Sequence, residues 1–109
     1  MTDRIKRINQ LIKEKIADIL LRELSFDKDI LVTVQNVDTS RDLRYAKVGI
    51  SIIPFNKSEE ILKILEKQTP HIQIQLNKVI ETKFVPKIKF EIDTGEEKAD
   101  RIEKILKEI

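Results

Sequence analysis

The sequence predicts an α+β fold, a three-stranded mixed sheet covered by helices on one face, and three observations lead to it. Apolar residues follow the helical period in some segments and strict alternation in others, giving the order helix, strand, strand, helix, helix, strand, helix. Each strand carries apolar residues on one parity and polar ones on the other, so only one side needs a cover. The second and third strands are separated by two helical segments, the kind of crossover that sets strands parallel.

The first helix spans Asp3 to Leu24, where Ile5, Ile8, Leu11, Ile12, Ile16, Ile19, Leu20 and Leu24 recur three and four apart and describe one face. Ser25 to Asp29 breaks the period. Ile30, Val32 and Val34 then alternate with Leu31, Thr33 and Gln35, a strand rich in β-branched residues. Asp38-Thr39-Ser40-Arg41-Asp42 supplies turn residues, after which Ala46, Val48, Ile50 and Ile52 alternate with Lys47, Gly49 and Ser51 as far as Pro54. The first two strands make an antiparallel hairpin.

Ser58 is expected to cap the next helix, with Glu59 and Glu60 favouring the positive end of its dipole. That helix runs to about Lys67. Pro70 has no backbone N–H, so a kink or break is expected at Gln68-Thr69-Pro70, with Thr69 placed to cap a fresh helix carrying Ile72, Leu76, Val79 and Ile80. After Pro86 the run Lys87 to Asp93 alternates without exception and forms the third strand, closed by Thr94-Gly95. A final helix is expected from Glu96 to Ile109, with Ala99, Ile102, Ile105, Leu106 and Ile109 on one face and acid-first pairs four apart at Glu97/Arg101, Asp100/Lys104 and Glu103/Lys107. With 109 residues, no repeat and no linker, residues 1–109 read as a single domain.

Composition narrows the function. The chain is 40% hydrophobic and 37% charged, which suits an aliphatic core beneath a highly charged surface. It has no cysteine, excluding thiolate chemistry and disulfides and fitting a reducing cytoplasm. No stretch approaches the roughly 18 apolar residues of a membrane helix, so no membrane partner is expected. Net charge is only +2, but residues 1–90 hold 17 Lys/Arg against 12 Asp/Glu while residues 91–109 hold 4 against 7. A polyanionic partner suits the basic body of the chain.

The residues offer little to an enzyme. His71 is the sole histidine, and Ser40 and Asp42 are placed for local turn hydrogen bonds rather than for a nucleophile and its base. Acidic pairs such as Glu59-Glu60 stand at helix starts, where the dipole accounts for them without a metal. Neither catalytic residues nor a cofactor, metal or small-molecule substrate is expected. Base reading on the open sheet face is disfavoured too, because its polar positions hold no aromatic residue and Phe90 shares the parity of Ile88 and Ile92. Tyr45, at the start of the second strand, is the one aromatic considered for a base or surface contact.

The order of elements matches the KH fold of the type that begins with a helix (type II), with paired helices between the second and third strands. KH domains usually carry a Gly-x-x-Gly loop there, which lets backbone approach nucleic-acid phosphates. Gln68-Thr69-Pro70-His71 stands at that junction instead.

Four stretches in order resemble the ribosome-binding factor A family over essentially the whole chain. Ser40-Arg41-Asp42-Leu43-Arg44-Tyr45-Ala46-Lys47-Val48 is similar to its Ser-x-Asp-Leu-x-x-Ala-x-Val, and Val85-Pro86-Lys87-Ile88-Lys89-Phe90-Glu91-Ile92-Asp93 to its third strand. Arg4-Ile5 with Ala17-Asp18-Ile19-Leu20 and Glu23-Leu24, and Arg101-Ile102-Glu103-Lys104-Ile105-Leu106, are similar in pattern. The resemblance implies a cytoplasmic, non-enzymatic assembly factor, expected to be monomeric, that binds the small (30S) ribosomal subunit and its 16S rRNA, assists late maturation and RNA processing, and matters in the cold. The family's junction is commonly Ala-x-Gly, where this chain has Gln68, Thr69 and Pro70.

The expected RNA-binding residues are Arg4, Lys6, Arg7 and Lys13 on the first helix, Arg41, Arg44 and Lys47 at the approach to the second strand, and Lys63, Lys67, Gln68, Thr69, Pro70, His71, Gln73 and Lys78 around the junction. Lys15, Lys83, Lys87 and Lys89 add to the same basic surroundings. Cationic side chains there would replace condensed counterions on RNA phosphates. A protein-interaction module using the acidic final helix is the competing reading.

Overall fold

A computed structural model describes residues 3–81 and 84–93. The expected final helix, with the turn at Thr94-Gly95, lies outside the described residues. Helix α1 runs Asp3–Glu23 and buries Ile5, Ile12, Ile16, Ile19 and Leu20, with Asp3 and Arg22 on the favourable ends of its dipole. Strands β1 (Leu31–Thr39) and β2 (Tyr45–Ile53) pair antiparallel, and β3 (Lys87–Ile92) pairs parallel to β2, giving the sheet order β1-β2-β3. Helix α2 (Ser58–Val79) supplies the crossover and packs mainly against β3, while α1 packs against β1. Both helices lie against one apolar cluster on the same side of the sheet, where Val48, Ile50, Leu65, Ile72 and Leu76 are fully buried. The three-stranded mixed sheet with helices over one face is the architecture expected.

Three local expectations change. Strand β1 does not end at Gln35: its register slips between Val34, opposite Ile50, and Asn36, opposite Gly49, leaving Gln35 as the extra residue of a β-bulge. The slip turns Val37 and Thr39 into the core and carries the strand through residues assigned above to a turn.

The two-helix reading of residues 58–80 is replaced by one helix. Thr69 caps nothing, because its hydroxyl donates back to the Leu65 carbonyl at 2.7 Å, and α2 continues through Pro70. Of the kink or break expected there, the break does not occur. Pro70 is exposed, so the Glu66 carbonyl that loses its N–H donor faces solvent with it.

Ser58 is likewise not a cap. A short 3-10 turn at Phe55–Lys57 leads into α2, Lys57 occupies the cap position, and the buried Ser58 hydroxyl has no hydrogen-bond partner among the described residues.

Candidate nucleic-acid interface

The β1–β2 turn is built by its own side chains. The Ser40 hydroxyl donates to Asp42 Oδ1 at 2.6 Å and accepts from the Tyr45 N–H at 3.1 Å, while Asp42 Oδ1 also accepts from the Arg44 N–H at 3.1 Å. These bonds hold Leu43 at φ 62°, a left-handed conformation that costs a non-glycine residue about 1–2 kcal/mol. The same contacts favour ionised Asp42: the Ser40 hydroxyl first, then the Arg44 N–H, hold its carboxyl below the ordinary value of 3.8. The Asp42–Arg44 ion pair, at 3.8 Å, is exposed and adds little.

Two ties bring other elements to this turn. Asn9 of α1 accepts the Thr39 N–H through Oδ1 at 3.0 Å, fixing the first turns of α1 beside the end of β1. The Lys87 N–H donates to the Arg44 carbonyl at 2.9 Å, which starts β3 there.

An open cleft of about 1020 Å³ lies where α1, the turn and the approach to β3 converge. Ile8, Leu11, Leu43 and Val85 contribute its apolar walls. Arg4, Arg7, Arg44 and Lys87 face Asp3 and Asp42 around them, so cations outnumber carboxylates. Tyr45 and Phe84 complete the lining, 59% and 76% exposed respectively.

Of the fifteen residues expected to contact RNA, only Arg4, Arg7 and Arg44 line this cleft. Lys6 and Arg41 are exposed outside its lining, Lys13 is half-buried along α1, and Lys47 stands on the open sheet face between Asp38 and Lys89. The junction set lies elsewhere. Lys63, Lys67, Pro70, His71 and Lys78 are exposed on α2, Gln68 and Thr69 are half-buried, and His71 Nε2 is 3.5 Å from Glu23 Oε2 at the far end of α1. At 1.5 Å per helical residue, that end is about 30 Å from Arg4. Gln73 is tied into the structure: its Oε1 accepts the Ile88 N–H and its Nε2 donates to the Pro86 carbonyl.

Phe84 is the residue that sequence reasoning missed. It falls between α2 and β3 in a stretch with no period, and its one signal is being a large aromatic outside any apolar stripe. Among the described residues no group of three or more His, Cys, Asp or Glu is placed to hold a metal ion, and no helix is long and apolar enough to cross a membrane.

Fold and cleft together define a KH-like α+β protein with a cationic groove at one end of its sheet. The family model for ribosome-binding factor A matches residues 4–106. The chain belongs to the ribosome-binding factor A family. It is 38% identical to ribosome-binding factor A of Natranaerobius thermophilus over 107 residues, 97% of this chain and 82% of that protein. The crystal structure of ribosome-binding factor A from Thermus thermophilus superposes with a TM-score of 0.67 at 19% identity, covering 81% of this chain and 94% of the other. Coordinates of a Thermus thermophilus ribosome-binding factor A homology model, fitted into a cryo-EM map of its 30S complex, match with a TM-score of 0.62 at 17% identity, covering 84% and 93%.

Proposed function

We propose that this chain is a single-domain, monomeric cytoplasmic factor that binds the small ribosomal subunit through its 16S rRNA, assists late maturation and RNA processing, and does so without catalysis or a cofactor. The convergence of Arg4, Arg7, Arg44 and Lys87 on one cleft carries this reading. Residues from three separate parts of the chain place positive charge where a polyanion can meet several of them at once. The Thermus thermophilus homologue, whose coordinates were fitted into a 30S complex, supports the choice of the small subunit as the polyanion. The cleft's end of α1 supplies the main phosphate contacts, with the α2 lysines and His71 as a second, separate zone.

Cosedimentation with purified small subunits at low and high salt tests the proposal. Binding at low salt that weakens steeply with added salt is expected, and the triple variant Arg4→Glu, Arg7→Glu, Arg44→Glu should lose most of it. Absence of binding at low salt overturns the reading. Intact binding by the triple variant moves the interface away from the cleft.

A further inference from the structure

The aromatic side chains are distributed unevenly. Phe90 is buried and Phe26 packs against the core, so core packing explains both, while Phe55 is 59% exposed on the 3-10 turn ahead of α2, outside the cleft. Tyr45 and Phe84, 59% and 76% exposed, are the aromatic residues that line the cationic cleft. The β1–β2 turn that leads into Tyr45 holds Leu43, which also lines the cleft, in a left-handed conformation through its own hydrogen bonds.

From this juxtaposition we propose that the cleft receives an unpaired RNA base, stacked against Tyr45 and Phe84, with its flanking phosphates held by Arg4, Arg7 and Arg44. The inference rests on the RNA-binding reading above and adds the form of RNA recognised. Every nucleobase has a flat apolar face suited to an aromatic ring and an apolar floor, whereas a paired helix keeps those faces stacked internally and offers only its backbone. The basic rim is charge-complementary to phosphate on either side of the base. Along α1 the cleft's lining, from Arg4 to Leu11, lies about 18–30 Å from Glu23, the residue beside His71 at the junction where KH domains place their glycine loop. It is thus a separate base-binding position that neither the open sheet face nor that junction supplies.

The test compares the full-length protein with Tyr45→Ala, Tyr45→Phe and Phe84→Ala for affinity to purified small subunits, followed by ultraviolet crosslinking of each complex and mass spectrometry of the adducts. Folding is checked by circular dichroism and urea denaturation; Tyr45 is exposed, so its variants should unfold near the wild-type midpoint. Loss of one stacking contact should lower affinity about tenfold in Tyr45→Ala, while Tyr45→Phe keeps it, and nucleotide adducts should fall on the peptides holding Tyr45 or Phe84. Wild-type affinity in both alanine variants overturns the base-stacking proposal and leaves subunit binding standing. So does an adduct of these peptides with a ribosomal protein instead of RNA. No binding by the wild-type protein overturns both readings.

Discussion

The side-chain carbonyl of Gln73 accepts the backbone N–H of Ile88 at 2.9 Å, and its amide donates to the Pro86 carbonyl at 3.1 Å. Among the described residues β3 lies at the edge of the sheet, so those backbone groups have no neighbouring strand on that side. Gln73 therefore acts as a one-residue substitute for a fourth strand. It also joins α2 to the strand whose first residue bounds the cleft.

Removing that amide leaves a partly buried donor and acceptor unpaired. Gln73→Ala should lower unfolding free energy by about 1–3 kcal/mol in urea denaturation, with an unchanged m value. The salt dependence of subunit binding should stay as in the wild type. A changed salt slope with unchanged stability would return Gln73 to the RNA contacts.

On the open face of the sheet Asn36 donates to Asp93 across Gly49, bridging β1 to the end of β3. A Cβ at position 49 would run into Asn36 Oδ1 and stand 3.0 Å from Asp93 Cβ. The Asn36 amide can swing away only by giving up that hydrogen bond. Gly49→Ala is expected to cost about 1–3 kcal/mol, measured by urea denaturation, and pairing it with Asn36→Ala should recover part of the loss.

Pro70 sits inside a continuous helix, where it is about 3 kcal/mol less favourable than alanine, partly offset by the freedom it removes from the unfolded chain. Pro70→Ala should stabilise the protein by about 2 kcal/mol and raise its thermal midpoint. Loss of stability would mean that α2 depends on a bend at this position.

The β1–β2 turn titrates with Asp42. Its hydrogen bonds favour the ionised carboxyl, so this contribution is complete above the ordinary aspartate value of 3.8 and is lost as pH falls through the lower folded value. Carboxyl-carbon NMR should give Asp42 a midpoint below 3.8, and Ser40→Ala, which removes the largest cause, should move it upward. A midpoint insensitive to Ser40 would contradict the turn geometry.

Much of the fold was legible because burial leaves a period. The apolar stripe of α1 and the alternation of β2 and β3 each report which side meets the core, and the helical stretch between strands implied the parallel pairing. The bulge at Gln35 was hidden because inserting one residue reverses the parity that alternation relies on. Ser58 and Thr69 were misread as caps because both have the right chemistry, while the 3-10 turn before one and the unbroken helix around the other come from packing.

The sequence by itself determined the kinds of element, their order, the buried faces and the family resemblance, all of which depend on spacing within a segment. Tertiary structure alone decided which exposed residues meet. Arg4 and Arg44 share a cleft with Phe84, although forty residues separate each from the next, because Asn9 anchors α1 to Thr39 and Arg44 starts β3 at Lys87. His71 and Gln73, grouped with those arginines by charge and resemblance, lie on α2 outside the cleft. Periodicity records the direction of the core, and solvent-facing side chains carry no comparable signal of their neighbours.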